Sequence, residues 1–148
     1  MPRATRTRVT RRIAADPTST ALLLAGPSAL ELWPGVRRVA DVGGRMVVET
    51  QLPRRTAAAS VRALPPRRTP TSYVSRFEWA GPGLPETTAE LTLAYAPGAG
   101  GELGTHAALV LDSHGFDPDV LDTRALTAMA EGFLANLARA AEQRSHAA

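Results

Sequence analysis

Residues of alternating polarity in the middle of the chain predict β-strands that have one wet face and one covered face. The clearest alternation runs over residues 72–79, whose covered face carries Tyr73, Ser75, Phe77 and Trp79. Similar runs separated by Pro and Gly turns give about seven strands in all, at 5–13, 36–42, 45–52, 57–64, 72–79, 87–95 and 105–113. Gly43-Gly44 is typical of a tight hairpin turn, and we interpret the Gly-rich stretch 98–104 as a hairpin loop.

Helix signals follow the first predicted strand and the last one. Asp16-Pro17 supplies an N-cap followed by proline at the first helical position, which predicts a short helix ending near Gly26-Pro27. A second short helix is predicted over 28–33. A long helix is predicted to begin between 117 and 123 and to end near Arg144, with an apolar stripe at Leu126, Met129, Phe133, Leu137 and Ala140. Only this helix is long enough to cover the sheet.

The order of these elements, together with the segment 29–36 and its Trp33-Pro34 pair, resembles the START/polyketide-cyclase (SRPBCC) superfamily. The resemblance implies an α+β helix-grip fold. In that fold a curved antiparallel sheet of about seven strands wraps around a long C-terminal helix, and two short helices follow the first strand. It also implies a ligand cavity between the sheet and that helix. Members of the superfamily include aromatase/cyclases, lipid and sterol binders and hormone receptors.

The composition fits one protein domain in a reducing compartment. We expect a single ligand-binding domain over residues 1–148, with frayed ends at 1–4 and 145–148. The absence of cysteine excludes disulfides and thiolate metal sites. The best apolar run, 21–25, is too short for a signal peptide or a membrane span. We therefore expect a soluble cytoplasmic protein without membrane contact, either monomeric or homodimeric.

All 17 basic residues are arginines, and the formal net charge is +3. Four Arg pairs could bind phosphates, at 11/12, 37/38, 54/55 and 67/68. The 14 acidic residues dilute this charge, and no predicted helix carries an arginine stripe. The pattern favours solvated surface arginines over a nucleic-acid surface, and an adaptor for nucleic acid or an acidic partner stays as an alternative.

Metal and nucleotide motifs are missing. His106 and His114 would lie roughly 26 Å apart on one strand at about 3.3 Å per residue, too far for one ion, and His146 falls in the expected frayed end. The loop 98–104 lacks the glycine spacing of a dinucleotide site and is predicted between strands. We therefore expect neither a metal nor a cofactor.

The implied cavity suggests which residues form the site. The predicted ligand-binding residues are Trp33, Ser75, Phe77, Trp79, Tyr95, Met129 and Phe133. The alternative for the aromatic rings of this set is that they fill the core without contacting a ligand. The predicted polar, catalytic residues are Arg62, Tyr73, His106, Asp112 and Asn136. An inward Arg62 would stabilise an enolate and an inward Asp112 would act as a general base, whereas outward side chains would be solvated. Asn136 on the helix needs a partner: a ligand, a water or a backbone carbonyl. Gly132 would allow the sheet or a ligand to approach the helix.

The resemblance, together with the aromatic face of residues 72–79, implies that the protein binds a small hydrophobic, polyketide-like molecule. It would catalyse cyclisation or dehydration by folding a flexible chain into a reactive conformer, without a cofactor. The resemblance carries no universal catalytic residue over to this chain. A non-catalytic carrier or sensor of the same fold is the first alternative, and the Arg-rich adaptor is the second.

Overall fold

The predicted strands pair into one antiparallel sheet in a computed structural model, which describes residues 5–25, 27–43, 45–51, 56–81, 84–114 and 123–147. The strands are β1 (Thr5–Ile13), β2 (Val36–Val42), β3 (Arg45–Gln51), β4 (Thr56–Ala63), β5 (Arg67–Arg68), β6 (Ser72–Gly81), β7 (Leu84–Tyr95) and β8 (Thr105–His114). Their order is β1-β8-β7-β6-β4-β3-β2, and the two-residue β5 pairs with β6 outside this path. The predicted curled sheet is confirmed.

The two ends of this sheet lie next to different parts of the chain. The register pairs Thr5 with Ser113 and Gln51 with Thr56, so the beginning of β1 and the ends of β3 and β8 lie at one end of the sheet. We call this the β3–β4 end. The opposite end holds Ile13, which pairs with Thr105, and the first residues of β6. We call this the α1 end, because the chain passes from Ile13 into α1 (Pro17–Leu22).

The C-terminal helix α2 (Thr123–Ala147) covers the inner face of the sheet. Its buried stripe repeats at spacings of three and four and consists of Leu126, Ala130, Phe133, Leu134, Leu137, Ala138 and Ala141. These side chains share one core with alternate residues of β7 and β8, such as Leu91, Leu93 and Leu109. Near its C-terminus α2 is tied to β1, since the Ala14 amide donates to Glu142 Oε1 at 3.1 Å.

The short helix α1 begins as the sequence predicts. The Asp16 carboxylate caps it by accepting from the Ser19 amide at 3.1 Å, and Pro17 is the first helical residue. A hydrogen bond from the Ser19 side chain outweighs the opposing effect of burial and, with bonds from backbone amides, lowers the pKa of Asp16 below its usual 3.8. Thr105 Oγ1 donates to Ala15 O at 2.6 Å, which fixes the turn between β1 and α1.

Some element boundaries differ from the prediction. The second short helix is a 3₁₀ helix (Pro27–Leu32), and α1 ends at Leu22, before the predicted Gly26-Pro27. β5 was not predicted, since two residues between prolines give no alternation. Within the predicted start of α2, residues 115–122 lie outside the described residues, as do Leu52 and Gly44 of the hairpin. No helix in the part of the chain that the structure describes is long and apolar enough to cross a membrane.

Candidate functional site

Three aromatic side chains from distant parts of the chain meet between the sheet and α2. The Trp33 ring stacks on Phe133 of α2 with centroids 4.3 Å apart and an interplanar angle of 25°. The Trp79 ring of β6 packs edge-on against the Trp33 ring, with centroids 5.5 Å apart and an interplanar angle of 74°. Trp33 and Phe133 are buried, and Trp79 is half-buried. We call these three residues the aromatic wall; stacked and edge-on pairs of this kind add stability beyond the area they bury.

The position of Trp33 depends on two contacts between α2 and the end of the 3₁₀ helix. Asn136 Nδ2 donates to the Leu32 carbonyl at 2.8 Å, so the backbone carbonyl is the partner that the Asn136 amide requires. A Cβ placed on Gly132 would collide with Pro34 Cγ, so the absent side chain allows Pro34 to lie directly against the helix. The approach predicted at Gly132 is therefore made by the Trp33-Pro34 pair, not by a ligand or a strand.

Hydroxyl groups interrupt the apolar inner face towards the β3–β4 end of the sheet. Thr7 on β1 and Thr50 on β3 are only 7% and 4% exposed, and neither Oγ1 has a hydrogen-bond partner among the described residues. Thr87 Oγ1 and Ser113 Oγ lie 3.0 Å apart on the neighbouring strands β7 and β8. We call these four residues the inner hydroxyls.

Buried hydroxyls without a partner are uncommon, because each loses hydrogen bonds to water without replacing them. Thr7 and Thr50 stand in the same row of each strand as Val9 and Val48, which belong to the core, so their hydroxyls point into the interior. An oxygen or nitrogen atom of a bound molecule would supply the missing partner. For Thr50, the row formed with Met46 and Val48 at every second position could have indicated an inward hydroxyl from the sequence, whereas the row of Thr7 also contains Arg11 and carries no such signal.

Most of the predicted ligand-binding residues lie on the inner side. Trp33, Trp79 and Phe133 form the aromatic wall; Ser75 and Phe77 are buried on the same face of β6, and Met129 packs against the core from α2. Tyr95 is different: it ends β7 at the α1 end and is 48% exposed.

Three of the predicted catalytic residues point away from the interior. Arg62 lies on the outer face of β4, with its Nε 3.9 Å from Glu78 Oε2. Asp112 lies on the outer face of β8, with its Oδ1 3.7 Å from Arg6 Nε. His106 is exposed on that same face. Because alternate residues of a strand face opposite sides of the sheet, these side chains cannot reach a molecule held against α2. Of the two orientations left open for Arg62 and Asp112, the structure shows the outward one.

The two remaining catalytic candidates are also occupied or remote. The Asn136 amide is engaged by Leu32, as described above. Tyr73 shares the inner face of β6 with Trp79, but it lies roughly 20 Å further along the strand at about 3.3 Å per residue. There its ring lies under the Arg68 guanidinium, 5.8 Å from the centroid. Among the described residues, no group of three His, Asp or Glu side chains is placed to hold a metal ion; the His146 side chain lies outside them.

Comparison with known proteins gives matches only at the level of structure, since no family model and no curated protein matches the sequence. An aromatase/cyclase from Streptomyces sp. R1128 superposes with a TM-score of 0.66 at 15% identity, covering 97% of this chain and 96% of that one. A START superfamily protein from Mycobacterium smegmatis gives 0.60 at 14% identity, with coverages of 94% and 95%. A norcoclaurine synthase from Thalictrum flavum gives 0.66 at 10% identity, with coverages of 98% for both chains.

Proposed function

We propose that this chain, which has the helix-grip fold of the START/SRPBCC superfamily, binds a small and mostly apolar molecule between its sheet and α2. The observation that carries the proposal is that the buried hydroxyls of Thr7 and Thr50 on the inner face have no hydrogen-bond partner in the part of the chain that the structure describes. An apolar interior of this kind stabilises a hydrophobic ligand by removing its surface from water. The two hydroxyls add a requirement for oxygen or nitrogen atoms on the ligand, because those atoms would complete their hydrogen bonds.

The aromatic wall supports a flat or ring-forming ligand. Trp33 and Trp79 offer rings in two orientations, and offset or edge-on packing is what aromatic rings favour. Ligand pockets are typically apolar, with few polar groups that fix orientation, and the combination of the aromatic wall with the inner hydroxyls has this character.

Intrinsic fluorescence tests this proposal directly. The chain has two tryptophans, and both belong to the aromatic wall, so their emission reports on the interior. We expect 1,8-dihydroxyanthraquinone to quench this emission at saturating, stoichiometric concentrations, and native mass spectrometry to show one bound molecule. Anthracene, which has the same ring count without oxygen atoms, should bind at least about tenfold more weakly, since it offers no hydrogen-bonding atom to either hydroxyl. Equal affinity for the two compounds, or no binding of either, would refute the proposal.

A finer hypothesis is that the ligand is polyketide-like and that the protein catalyses its cyclisation or dehydration. Support comes from the shared fold with an aromatase/cyclase and from a wall of rings that can hold a flexible chain in a folded conformer. With Arg62, His106 and Asp112 on the outer face, such catalysis relies on positioning and on hydrogen bonds from the inner hydroxyls. This catalysis can be tested by incubating a linear poly-β-ketone thioester with and without the protein and following its mass. A catalyst would make the thioester lose water faster than it does in the sample without protein. Unchanged recovery of a bound thioester would favour the carrier or sensor alternative.

The Arg-rich adaptor has less support. Three arginines of the outer face, Arg6, Arg62 and Arg76, form ion pairs with carboxylates, which reduces the field available to phosphates. Binding of a duplex oligonucleotide that weakens steeply with added salt would favour it.

A further inference from the structure

We propose that a cleft at the α1 end of the sheet is a second binding site, which takes a small planar aromatic anion. The cleft has a volume of about 390 Å³ and is bounded chiefly by Asp16, Pro17, Arg68, Tyr73, Tyr95 and Leu103. Its volume lies within the range of small-molecule sites. It is separate from the interior site, because the inner hydroxyls lie towards the opposite end of the same strands.

The cation of this cleft is Arg68. Its backbone pairs with Tyr73 across β5 and β6, and its guanidinium lies 5.8 Å from the centroid of the Tyr73 ring. No carboxylate among the described residues forms an ion pair with Arg68, whereas Arg6, Arg62 and Arg76 each have one. A guanidinium beside an aromatic face, without a carboxylate partner, is free to bind an anionic oxygen while the ring supports it from below.

The apolar part of a ligand would contact two unusually exposed side chains. Tyr95 is 48% exposed and Leu103 is 59% exposed, and both border the cleft. Tyr95 ends β7, on the same inner row as Leu91 and Leu93, so its ring stands at the rim of the sheet beside Tyr73. A flat ring lying between Tyr95 and the Tyr73–Arg68 stack would cover this apolar surface.

The wall that carries Arg68 is held rigidly. The turn between β5 and β6 is closed by the Thr69 amide donating to Ser72 O at 2.9 Å and by the Ser72 amide donating to Thr69 Oγ1 at 3.0 Å. The Tyr95 amide donates to Thr71 O at 3.1 Å, which joins this turn to β7. A site whose walls are already ordered loses less entropy on binding.

The α1 wall restricts the charge of the ligand. Asp16 caps α1, and the same hydrogen bonds keep its pKa below the usual value, so the carboxylate is ionised at neutral pH. A ligand carboxylate on the Arg68 side of the cleft would pair with the Arg68 guanidinium. A second negative charge on the ligand would be repelled by the Asp16 carboxylate. The site therefore fits an aromatic monocarboxylate better than a dicarboxylate.

Calorimetric titration of the protein with 2-naphthoate tests this site. We expect one saturable binding event, weakened about tenfold in Arg68→Gln, because a hydrogen bond to a charged group is lost. Arg67→Gln is the matched control: Arg67 is the other residue of β5, is also exposed, and pairs with Val74, so its side chain takes the opposite face of the strand. It should leave the affinity within about twofold of the wild type. Neutral 2-naphthamide, of the same shape, should bind about tenfold more weakly than 2-naphthoate.

Several results would overturn this assignment. Absence of saturable 2-naphthoate binding would do so, as would equal losses in Arg67→Gln and Arg68→Gln, which would indicate unspecific attraction to arginine. Loss of 2-naphthoate binding in Thr50→Val, an interior substitution, would move the binding to the site between the sheet and α2.

Discussion

A methyl group added at Gly132 tests how α2 holds the Trp33-Pro34 pair in place. Gly132 lies inside α2, where replacing glycine by alanine ordinarily stabilises a helix by about 1 kcal/mol. Here the new Cβ would collide with Pro34 Cγ and lie 3.6 Å from Pro34 Cβ and Cδ. The proline ring cannot rotate away as a flexible side chain would, so the 3₁₀ helix end or α2 has to shift.

The cost of this shift exceeds the gain in helix propensity. Overpacking a filled site by one methyl group typically costs about 1–3 kcal/mol. Because the same segment places Trp33 on Phe133 and accepts a hydrogen bond from Asn136, the displacement disturbs those contacts as well. We expect Gly132→Ala to lower the free energy of unfolding by about 1–2 kcal/mol in sum.

Urea denaturation followed by tryptophan fluorescence measures this change, and a double-mutant cycle isolates its cause. In a Pro34→Ala background the obstructing ring is absent, so Gly132→Ala should become neutral or should stabilise the protein by up to about 1 kcal/mol. A stabilising effect of Gly132→Ala in the wild-type background, or an equal loss in both backgrounds, would refute the close approach of Pro34 to α2.

Three further substitutions test separate parts of the structure. Asp16→Ala should lower the free energy of unfolding by about 1 kcal/mol at pH 7, with most of it retained in Asp16→Asn. The pKa of Asp16 is lower in the folded state than in the unfolded state, so this stabilisation is present above the unfolded-state pKa of about 4. It is lost as the pH falls through the folded-state pKa, and urea titrations at several pH values would measure the loss. Asn136→Asp should cost about 1–3 kcal/mol at pH 7, because a carboxylate cannot donate to Leu32 O; a change near zero would contradict the observed bond. Arg62→Ala should change stability by less than about 0.5 kcal/mol and leave ligand quenching of tryptophan unaltered; a loss of binding would bring Arg62 back to the interior site.

Much of the architecture is readable from the sequence because most elements carry a local signal. The alternation of polar and apolar residues in β6 predicts a strand, and the spacing of the apolar stripe in α2 predicts a helix. The Asp16-Pro17 pair predicts the start of α1, because it supplies a cap and a proline at the first helical position. The two-residue β5 lacks any such signal, since its pairing with β6 is set by the turn at Thr69 and Ser72.

The site was harder to predict, because small and apolar residues occupy both faces of the relevant strands. In β4, alanine occurs on the inner row at Ala57 and Ala59 and on the outer row at Ala58, so the pattern does not decide which way Arg62 points. β8 has the same ambiguity around Asp112, where Val110 faces outward and Leu111 inward. The bond from Asn136 to Leu32 joins residues 104 positions apart, a distance over which no local pattern carries information.

The central claim, that the buried hydroxyls of Thr7 and Thr50 await the polar atoms of a ligand, is tested most directly by Thr50→Val measured for both stability and binding. Valine keeps the shape of threonine and removes a buried hydroxyl that has no partner among the described residues. We expect the free energy of unfolding without ligand to rise by about 1 kcal/mol, while the affinity for 1,8-dihydroxyanthraquinone falls about five- to tenfold. Thr10→Val, on the exposed outer row of β1, should leave the affinity unchanged. A loss of stability in Thr50→Val together with unchanged affinity would contradict the account, since the hydroxyl would then serve the fold and not a ligand.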